Sequence, residues 1–182
     1  MDLFQFLHDL SATRHLEVVV IGGHAVNALG YSRTTLDLDL LVRKSDSETW
    51  KDSFRELGYA VLREIEAFVQ LSPPLQGMWP VDLMLVNDAT FSGILAEASE
   101  VRFRHALLKV PSLEHLIALK LHALKQALPH RDAKDFGDLT QLIHSNRVDV
   151  RNERFRQLVE KYGNHQIYER LIQCATTRPH EQ

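Results

Sequence analysis

The feature that most constrains this chain is a hydrophobic strand ending in two glycines, followed by a second hydrophobic strand with two alternating aspartates. The first segment is Val18-Val-Val-Ile-Gly-Gly-His24 and the second is Leu36-Asp-Leu-Asp-Leu-Leu-Val42. Alternate residues of a strand point to the same face, so we expect Asp37 and Asp39 to project together. The opposite face is apolar and is expected to enter the core through Leu36, Leu38 and Leu40. The pattern predicts two carboxylates side by side on a buried strand.

Two neighbouring carboxylates repel each other and need a compensating charge. Mg²⁺ or Mn²⁺ suits them best, because both cations prefer hard oxygen ligands. Gly22 and Gly23 lie between the first strand and a helix expected over 24–29, where glycine lets the backbone approach a ligand closely. Backbone N–H groups at such a junction attract phosphate oxygens. The two segments together indicate a metal-dependent phosphate site, and the alternative is that the two aspartates line the solvated face of an edge strand.

A third carboxylate interrupts another apolar segment, Trp79-Pro-Val-Asp-Leu-Met-Leu-Val86. This segment is expected to be a buried strand, where a charge is costly unless a metal or a hydrogen-bonding partner compensates it. Asp82 is therefore the candidate third acid of the site. The alternative is an aspartate that caps a neighbouring loop.

Composition is consistent with a globular enzyme and excludes several other classes. The chain has 182 residues, of which 45% are hydrophobic and 25% charged, and its net charge is −3. No global basic surface is available for nucleic acid, so any such binding would need a local patch. The single cysteine excludes an intrachain disulfide and a cysteine-rich zinc site. With neither a signal-peptide pattern nor a long apolar run, we expect a cytoplasmic protein with no membrane partner.

Hydrophobic periodicity and turn residues predict an α+β (α/β) fold in which a mixed sheet flanked by helices is followed by helices alone. We expect an α/β core over residues 1–110 and a helical subdomain over 111–182. The predicted strands are 17–21, 36–42, 59–63, 67–71, 79–86 and a strand pair within 103–110. The predicted helices are 2–12, 24–29, 45–57, 88–99, 112–128, 131–144, 152–162 and 165–176.

One lysine lies on the apolar face of a predicted helix. Lys120 is four residues from both Leu116 and Leu124, so its ammonium is expected to point toward the interior or a cleft. The alternative is a side chain whose stem covers apolar surface while its charge stays in water. In the next helix Asp135 and Asp138 share a face, and pairing with Arg131 and Lys134 as surface salt bridges would explain that pattern.

In order and spacing, these motifs resemble the polymerase-β-type nucleotidyltransferases, whose signature is a strand, a glycine turn, Asp-x-Asp and a later lone aspartate. The more specific resemblance is to the AbiEii-like, abortive-infection branch of that superfamily. Its Gly-Gly-x-Ala and Arg-x-Thr-x-Asp-x-Asp motifs correspond to Gly22-Gly-His-Ala25 and Arg33-Thr-Thr-Leu-Asp-Leu-Asp39. Its later lysine and Arg-x-x-Lys-Asp-x-x-Asp correspond to Lys120 and Arg131-Asp-Ala-Lys-Asp-Phe-Gly-Asp138. Many members have Ser as the second turn residue, where this chain has Gly23 followed by His24.

The resemblance implies transfer of a nucleoside monophosphate from an NTP to an acceptor. Asp37 and Asp39 would hold Mg²⁺ or Mn²⁺ on the triphosphate, and Asp82 would bind a second metal or act as general base. The nucleotide phosphates would meet Gly22 and Gly23, with His24 and Arg33 as further contacts; His24 packing without a ligand and Arg33 as a surface arginine are the alternatives. Lys120 would neutralise the triphosphate or the leaving pyrophosphate. Asp135 would orient Lys120 or position the acceptor, while Asp138 would be structural.

The same resemblance leaves the acceptor open among RNA, including tRNA, a protein hydroxyl and a small molecule such as an antibiotic. AbiEii-like members often act as the toxin of a toxin–antitoxin pair, so an antitoxin protein is a possible partner. Two other functions stay open. One is a non-catalytic nucleotide-binding or interaction module of the same fold, although three mutually repelling acids argue against it. The other is a hydrolase that uses the same carboxylates with a water molecule.

Overall fold

The computed structural model describes residues 2–126 and 129–177, and for 129–132 and 177 only the helical backbone is described. Within these residues seven strands form one mixed sheet in the order β3-β4-β5-β2-β1-β7-β6. The strands are β1 (Val19–Val20), β2 (Leu38–Arg43), β3 (Ala60–Ile65), β4 (Phe68–Ser72), β5 (Val81–Val86), β6 (Ser99–Phe103) and β7 (Ala106–Val110).

The middle of the sheet is formed by the two segments that the sequence singles out. β1 pairs antiparallel with β2, with Val20 opposite Leu40, and it pairs parallel with β7. β2 pairs parallel with β5 along its whole length, so that Asp39 lies opposite Asp82. The strand pairs β3–β4, β4–β5 and β6–β7 are antiparallel. Burial from both sides explains why these central strands are almost wholly apolar.

Eight α-helices are found in the described residues. They are α1 (Leu3–Arg14), α2 (Gly22–Ala28), α3 (Ser47–Glu56), α4 (Asp88–Ala96), α5 (Leu113–Gln126), α6 (Pro129–Ser145), α7 (Glu153–Tyr162) and α8 (His165–Thr177). Three of them begin with a capping side chain, since Asp2, Asn87 and Asn152 accept backbone N–H groups of the first turn. A short 3₁₀ turn, Lys44–Asp46, precedes α3. The predicted end of α5 at residue 128 lies outside the described residues.

Contacts divide the chain into two compact units. The first runs to Ser112, apart from Leu29–Tyr31, and holds the sheet with α1 to α4. The second consists of Leu29–Tyr31 and the chain from Leu113 onward, which forms α5 to α8. Its core is a cluster of buried apolar side chains from these helices, among them Leu121, Leu139, Val159 and Leu171. The predicted mixed sheet with flanking helices and the helical C-terminal part are both present.

Three details differ from the sequence-based expectation. The strand pair expected within 103–110 begins earlier, because α4 ends at Ala96 and β6 runs over Ser99–Phe103, starting at the residue where the helix was expected to end. Leu36 is 73% exposed and does not enter the core, because β2 begins only at Leu38 and Asp37 precedes it. The alternation of apolar and acidic residues therefore continues in the sequence for two residues before the strand itself begins. In addition, α2 begins at Gly22, so both glycines form its first turn, where Ala25 N–H donates to the carbonyl of Ile21 at 3.3 Å.

Within the described residues, no helix is both long enough and apolar enough to cross a lipid bilayer.

Candidate active site

The backbone at Gly22 lies directly against the side chain of Asp39. Antiparallel pairing of β1 and β2 brings the two segments together, and the Ile21 N–H donates to the Asp39 carbonyl at 2.9 Å. A Cβ atom on Gly22 would lie only 2.6 Å from the Cβ of Asp39 and closer still to its carboxylate. Gly22 also has a φ of 58°, a backbone angle that residues other than glycine rarely adopt. The glycine is therefore required both by its backbone angle and by the space that Asp39 occupies.

Asp39 and Asp82 occupy opposed positions of the parallel strands β2 and β5. Neighbouring strands are about 4.8 Å apart, and residues in register share a face of the sheet. Asp82 is buried, with 9% of its surface exposed, and Asp39 is half-buried. The Leu38 N–H donates to the Pro80 carbonyl at 3.0 Å, which locks this register one residue before the two acids. The fold thus brings together two carboxylates that are 43 positions apart in the chain.

Asp37 is held by a hydrogen bond from its own loop rather than by the strand. The Thr35 hydroxyl donates to Asp37 Oδ1 at 2.8 Å. Thr35 in turn lies against Gly23, where a Cβ atom would be 2.8 Å from the Cβ of Thr35. Asp37 is half-buried. The second glycine therefore makes room for the threonine that orients this carboxylate.

Arg33 lies at the start of the same loop. Its backbone N–H and carbonyl both form hydrogen bonds with the side chain of Asn27. Asn27 accepts the Arg33 N–H and donates to the Arg33 carbonyl, both at 2.9 Å. The guanidinium donates to the Thr34 carbonyl at 3.0 Å. A Cβ atom on Gly23 would come within 3.1 Å of Arg33 Nη1, so the guanidinium lies next to the glycine turn.

His24 is buried among aromatic rings. Its ring centroid is 4.7 Å from that of Trp79 and 5.2 Å from that of Phe4. Burial is the main reason that its pKa is lowered; Asp37 acts in the opposite direction, and Arg33 and Arg104 lower the pKa further. The imidazole is therefore neutral near pH 7.

In the second unit Lys120 forms a buried cluster with two carboxylates of α6. Its ammonium donates to Asp135 Oδ1 at 2.8 Å and to Asp138 Oδ2 at 2.7 Å. Lys120 is 8% exposed and Asp138 is 2% exposed. Burial alone would lower the pKa of Lys120, but the two carboxylates outweigh it and raise the pKa. The lysine points to the interior, as its position on α5 predicts, and both aspartates hold it. The side chain of Arg131, which the sequence suggested as a partner of Asp135, lies outside the described residues.

The paired aspartates imply a divalent cation. In the part of the chain that the structure describes, no three His, Cys, Asp or Glu side chains are grouped closely enough to hold a metal ion. Mg²⁺ commonly binds through one or two carboxylates and completes its shell with substrate phosphates and water. The opposed carboxylates Asp39 and Asp82, with Asp37 nearby in sequence, supply that donor chemistry. The set fits a metal that binds together with a phosphate substrate.

Three residues beside the acids were not singled out from the sequence. Thr35 orients Asp37, Asn27 holds the Arg33 loop, and Gln70 lies opposite Asp82 on β4. Thr35 had a signal, since it occupies the threonine position of Arg-x-Thr-x-Asp-x-Asp. Nothing in the local pattern marks Asn27 or Gln70, because their positions depend on loop closure and strand order.

Comparison with known proteins identifies both family and fold. The family model described as "Nucleotidyl transferase AbiEii toxin, Type IV TA system" matches residues 84–181, which is just over half of the chain. No curated protein matches the sequence significantly.

Solved structures of nucleotidyltransferases share the fold. ANT(2")-Ia in complex with adenylyl-2"-tobramycin is 16% identical with a TM-score of 0.66, over 88% of this chain and 94% of the other. The lincosamide adenylyltransferase LnuA, bound to lincomycin, is 18% identical with a TM-score of 0.55, over 77% and 95%. A candidate nucleotidyltransferase from Thermotoga maritima is 17% identical with a TM-score of 0.51, over 73% and 91%.

These neighbours have the polymerase-β-type nucleotidyltransferase fold, as the motif order predicts. At such low identities they establish the fold alone, whereas the family model matches the sequence itself. The chain therefore belongs to the AbiEii family of nucleotidyl transferases.

Proposed function

We propose that this protein transfers a nucleoside monophosphate from an NTP to an acceptor hydroxyl in a reaction that depends on Mg²⁺ or Mn²⁺. One observation carries the proposal: Asp39 lies opposite Asp82 in the sheet, with the backbone of Gly22 pressed against Asp39. This places two carboxylates of neighbouring strands beside the backbone of the glycine turn. Membership of a nucleotidyl transferase family supports the same reaction.

In the proposed reaction the acceptor oxygen forms a bond to the α-phosphorus of the NTP, and the bond to pyrophosphate breaks. The bound cation would neutralise charge on the triphosphate. Asp37 and Asp39 are the proposed ligands of that cation, with Thr35 holding Asp37 in orientation. Asp82 would accept the proton of the acceptor hydroxyl or bind a second cation.

The phosphates are proposed to contact the backbone at Gly22 and Gly23, with Arg33 and His24 beside them. By the family resemblance, Lys120 would offset the charge of the triphosphate or pyrophosphate. The hydrogen bonds from Lys120 to Asp135 and Asp138 support a fixed position for its ammonium. We propose that residues 1–110 form the nucleotidyltransferase core and that residues 111–182 form a helical subdomain.

The acceptor is proposed to be RNA, such as tRNA, a protein hydroxyl or a small molecule. A small molecule is suggested by fold neighbours that hold adenylyl-2"-tobramycin and lincomycin. A toxin role, with an antitoxin protein as partner, is suggested by the family description. We propose a cytoplasmic location, where NTPs and these acceptors are available.

The test is incubation of the purified protein with each α-³²P-labelled NTP and Mg²⁺ or Mn²⁺. Total RNA, protein extract and aminoglycosides are added in separate reactions. Asp39→Asn removes one charge with almost no change of shape, and Asp52→Asn is the matched control because Asp52 is exposed on α3 and paired with Arg55. We expect labelled acceptor from the wild-type protein and from Asp52→Asn, and a loss of at least about 100-fold for Asp39→Asn.

Release of label only as free NMP would favour the hydrolase instead. NTP binding without turnover, in every acceptor reaction, would favour the non-catalytic binding module. Equal transfer by wild-type protein and Asp39→Asn would overturn the assignment of Asp39.

A further inference from the structure

Four polar residues lie in one line across four neighbouring strands of the sheet. Asp39 of β2 opposes Asp82 of β5. Gln70 of β4 opposes Asp82 from the other side, and Arg63 of β3 opposes Gln70. Because residues in register share a face of the sheet, the four side chains project from the same face. We call these four residues the polar row; it extends the carboxylate pair away from Gly22 and toward the edge strand β3.

A β-bulge in the edge strand places Arg63 on this face. The register passes from Val61 opposite Leu71 to Arg63 opposite Gln70, so β3 contains one extra residue, Leu62. Without the extra residue, Arg63 would oppose the next residue of β4 and project from the other face of the sheet. Bulges are frequent next to active sites, where they re-aim a side chain. The bulge therefore brings a guanidinium to the face that carries the acids.

The outer half of the polar row is accessible to a ligand. Arg63 is exposed and Gln70 is half-buried. In the part of the chain that the structure describes, no hydrogen bond or ion pair engages either side chain. The neighbouring Glu64 differs, since it projects from the opposite face and accepts a hydrogen bond from Lys51 of α3 at 2.7 Å. An amide and a guanidinium are thus available beside the carboxylates.

The in-line geometry of the proposed transfer distinguishes the two ends of the polar row. This step rests on the proposed function, which places the triphosphate at the glycine turn. In an in-line displacement the acceptor oxygen and the leaving pyrophosphate lie on opposite sides of the reacting phosphorus. With pyrophosphate beside Gly22 and Gly23, the acceptor approaches from the other end, where Gln70 and Arg63 lie.

We propose that Gln70 and Arg63 form the acceptor subsite and select the 3′ end of an RNA. Arg63 lies two strands from Asp82, about 10 Å away, where its guanidinium pairs with the phosphodiester next to the terminal nucleotide. Gln70 lies one strand from Asp82 and bonds the 2′-hydroxyl next to the reacting 3′-hydroxyl, because an amide both donates and accepts. Arg63 would repel a cationic aminoglycoside, and a protein hydroxyl has no neighbouring hydroxyl for Gln70.

Binding of a labelled RNA tests Arg63 without turnover. A short single-stranded RNA with a 5′ fluorophore is titrated by anisotropy in Mg²⁺ without NTP. Arg63→Ala should weaken binding about tenfold, and Arg63→Lys should retain most of the affinity. Arg63→Ala should also reduce the slope of log affinity against log salt by about 0.7, the effect of one phosphate contact on a single strand. Arg102→Ala is the matched control, since Arg102 is an exposed arginine of β6, the opposite edge strand.

The terminal sugar of the probe tests Gln70. Two RNAs of the same sequence are compared, one ending in ribose and one in 2′-deoxyribose. The wild-type protein should bind the ribose end about 3- to 10-fold more tightly, the effect of one hydrogen bond. Gln70→Met removes the amide with little change of volume and should bind both probes equally. Gln76→Met, at an exposed glutamine of the loop before β5, should keep the preference. Circular dichroism checks that each variant folds.

Absence of RNA binding by the wild-type protein would overturn the inference, as would unchanged affinity in a folded Arg63→Ala protein. Equal losses in Arg63→Ala and Arg102→Ala would overturn it too, because they indicate general charge attraction. A ribose preference that survives in Gln70→Met would reject the role of Gln70. If the variants weaken ATP binding instead of RNA binding, the polar row holds the donor nucleotide and the inference is wrong.

Failure of the proposed function gives a different pattern. The expected effects on RNA binding without any transfer of label would reject only the reaction. Transfer of label by a protein whose RNA affinity is the same with and without the Arg63 guanidinium would reject only the acceptor subsite.

Discussion

The backbone of Gly22 and the side chain of Asp39 occupy adjoining space so tightly that a methyl group on the glycine would collide with the carboxylate. The contact exists because β1 pairs antiparallel with β2, and the Ile21 N–H next to Gly22 donates to the Asp39 carbonyl. Asp39 thus has the Gly22 backbone on one side and Asp82 of the neighbouring strand on the other. The relationship makes Gly22 a position where a small change should have a large effect.

Gly22→Ala is expected to destabilise the protein by about 2 kcal/mol or more. The positive φ strains any L side chain, and the added Cβ displaces Asp39. Gly93→Ala is the matched control, because Gly93 is an exposed residue of α4 with nothing within 4 Å of an added Cβ. It should stabilise by about 0.5–1 kcal/mol through helix propensity. Urea unfolding of both variants checks the prediction, which fails if the two shifts have the same sign.

Thr35→Val is expected to reduce nucleotidyl transfer about 10- to 100-fold while leaving the fold intact. Valine keeps the branched shape of threonine but cannot donate the 2.8 Å hydrogen bond to Asp37. The neighbouring Thr34→Val is the control, since Thr34 is exposed and only its carbonyl is engaged by Arg33. The measurement is the initial rate of transfer with whichever NTP labels the acceptor in the test under Proposed function. Equal rates for the two variants would show that the orientation of Asp37 does not limit the reaction.

Lys120→Met is expected to cost about 3 kcal/mol of unfolding free energy. Methionine fills much of the same space but removes the ammonium that pairs with Asp135 and with the buried Asp138. Lys125→Met serves as control because Lys125 is an exposed residue of the same helix, and its effect should stay within about 0.5 kcal/mol. Denaturant midpoints at pH 7 measure both. If Asp138→Asn restores part of the stability of Lys120→Met, the buried charge is the cause.

His24 predicts a loss of stability in mild acid. Burial lowers its pKa in the folded state below the ordinary value of about 6.5, so the unfolded chain binds the proton more readily. The contribution of the neutral imidazole is therefore fully present above about pH 6.5 and decreases as the pH falls below that value. Urea midpoints at pH 7.5 and 5.5 should differ more for the wild-type protein than for His24→Phe, which keeps an aromatic ring. An equal difference in both proteins would exclude His24 as the group responsible.

Most elements were predictable because their patterns are local. Helices α1, α3, α4, α7 and α8 follow from apolar spacing and caps, and the hairpin of β3 and β4 follows from two alternating segments. The start of β2 was not predictable, since Leu36 continues the alternation in sequence but lies in solvent. Where pairing ends depends on the partner strand, and β5 begins opposite Leu38.

The sequence by itself determined the motifs, the order of the candidate acids, the fold class and the position of Lys120 on the apolar face of its helix. Only the tertiary structure decided which residues meet. The register of β2 with β5 places Asp39 opposite Asp82, and α6 brings Asp138 as well as Asp135 to Lys120. The rings of Phe4, His24, Trp79 and Phe103 also meet only in the tertiary structure, because these residues are distant in the chain. Local patterns set the direction of a side chain, whereas contacts between distant residues are set by strand order, register and helix packing.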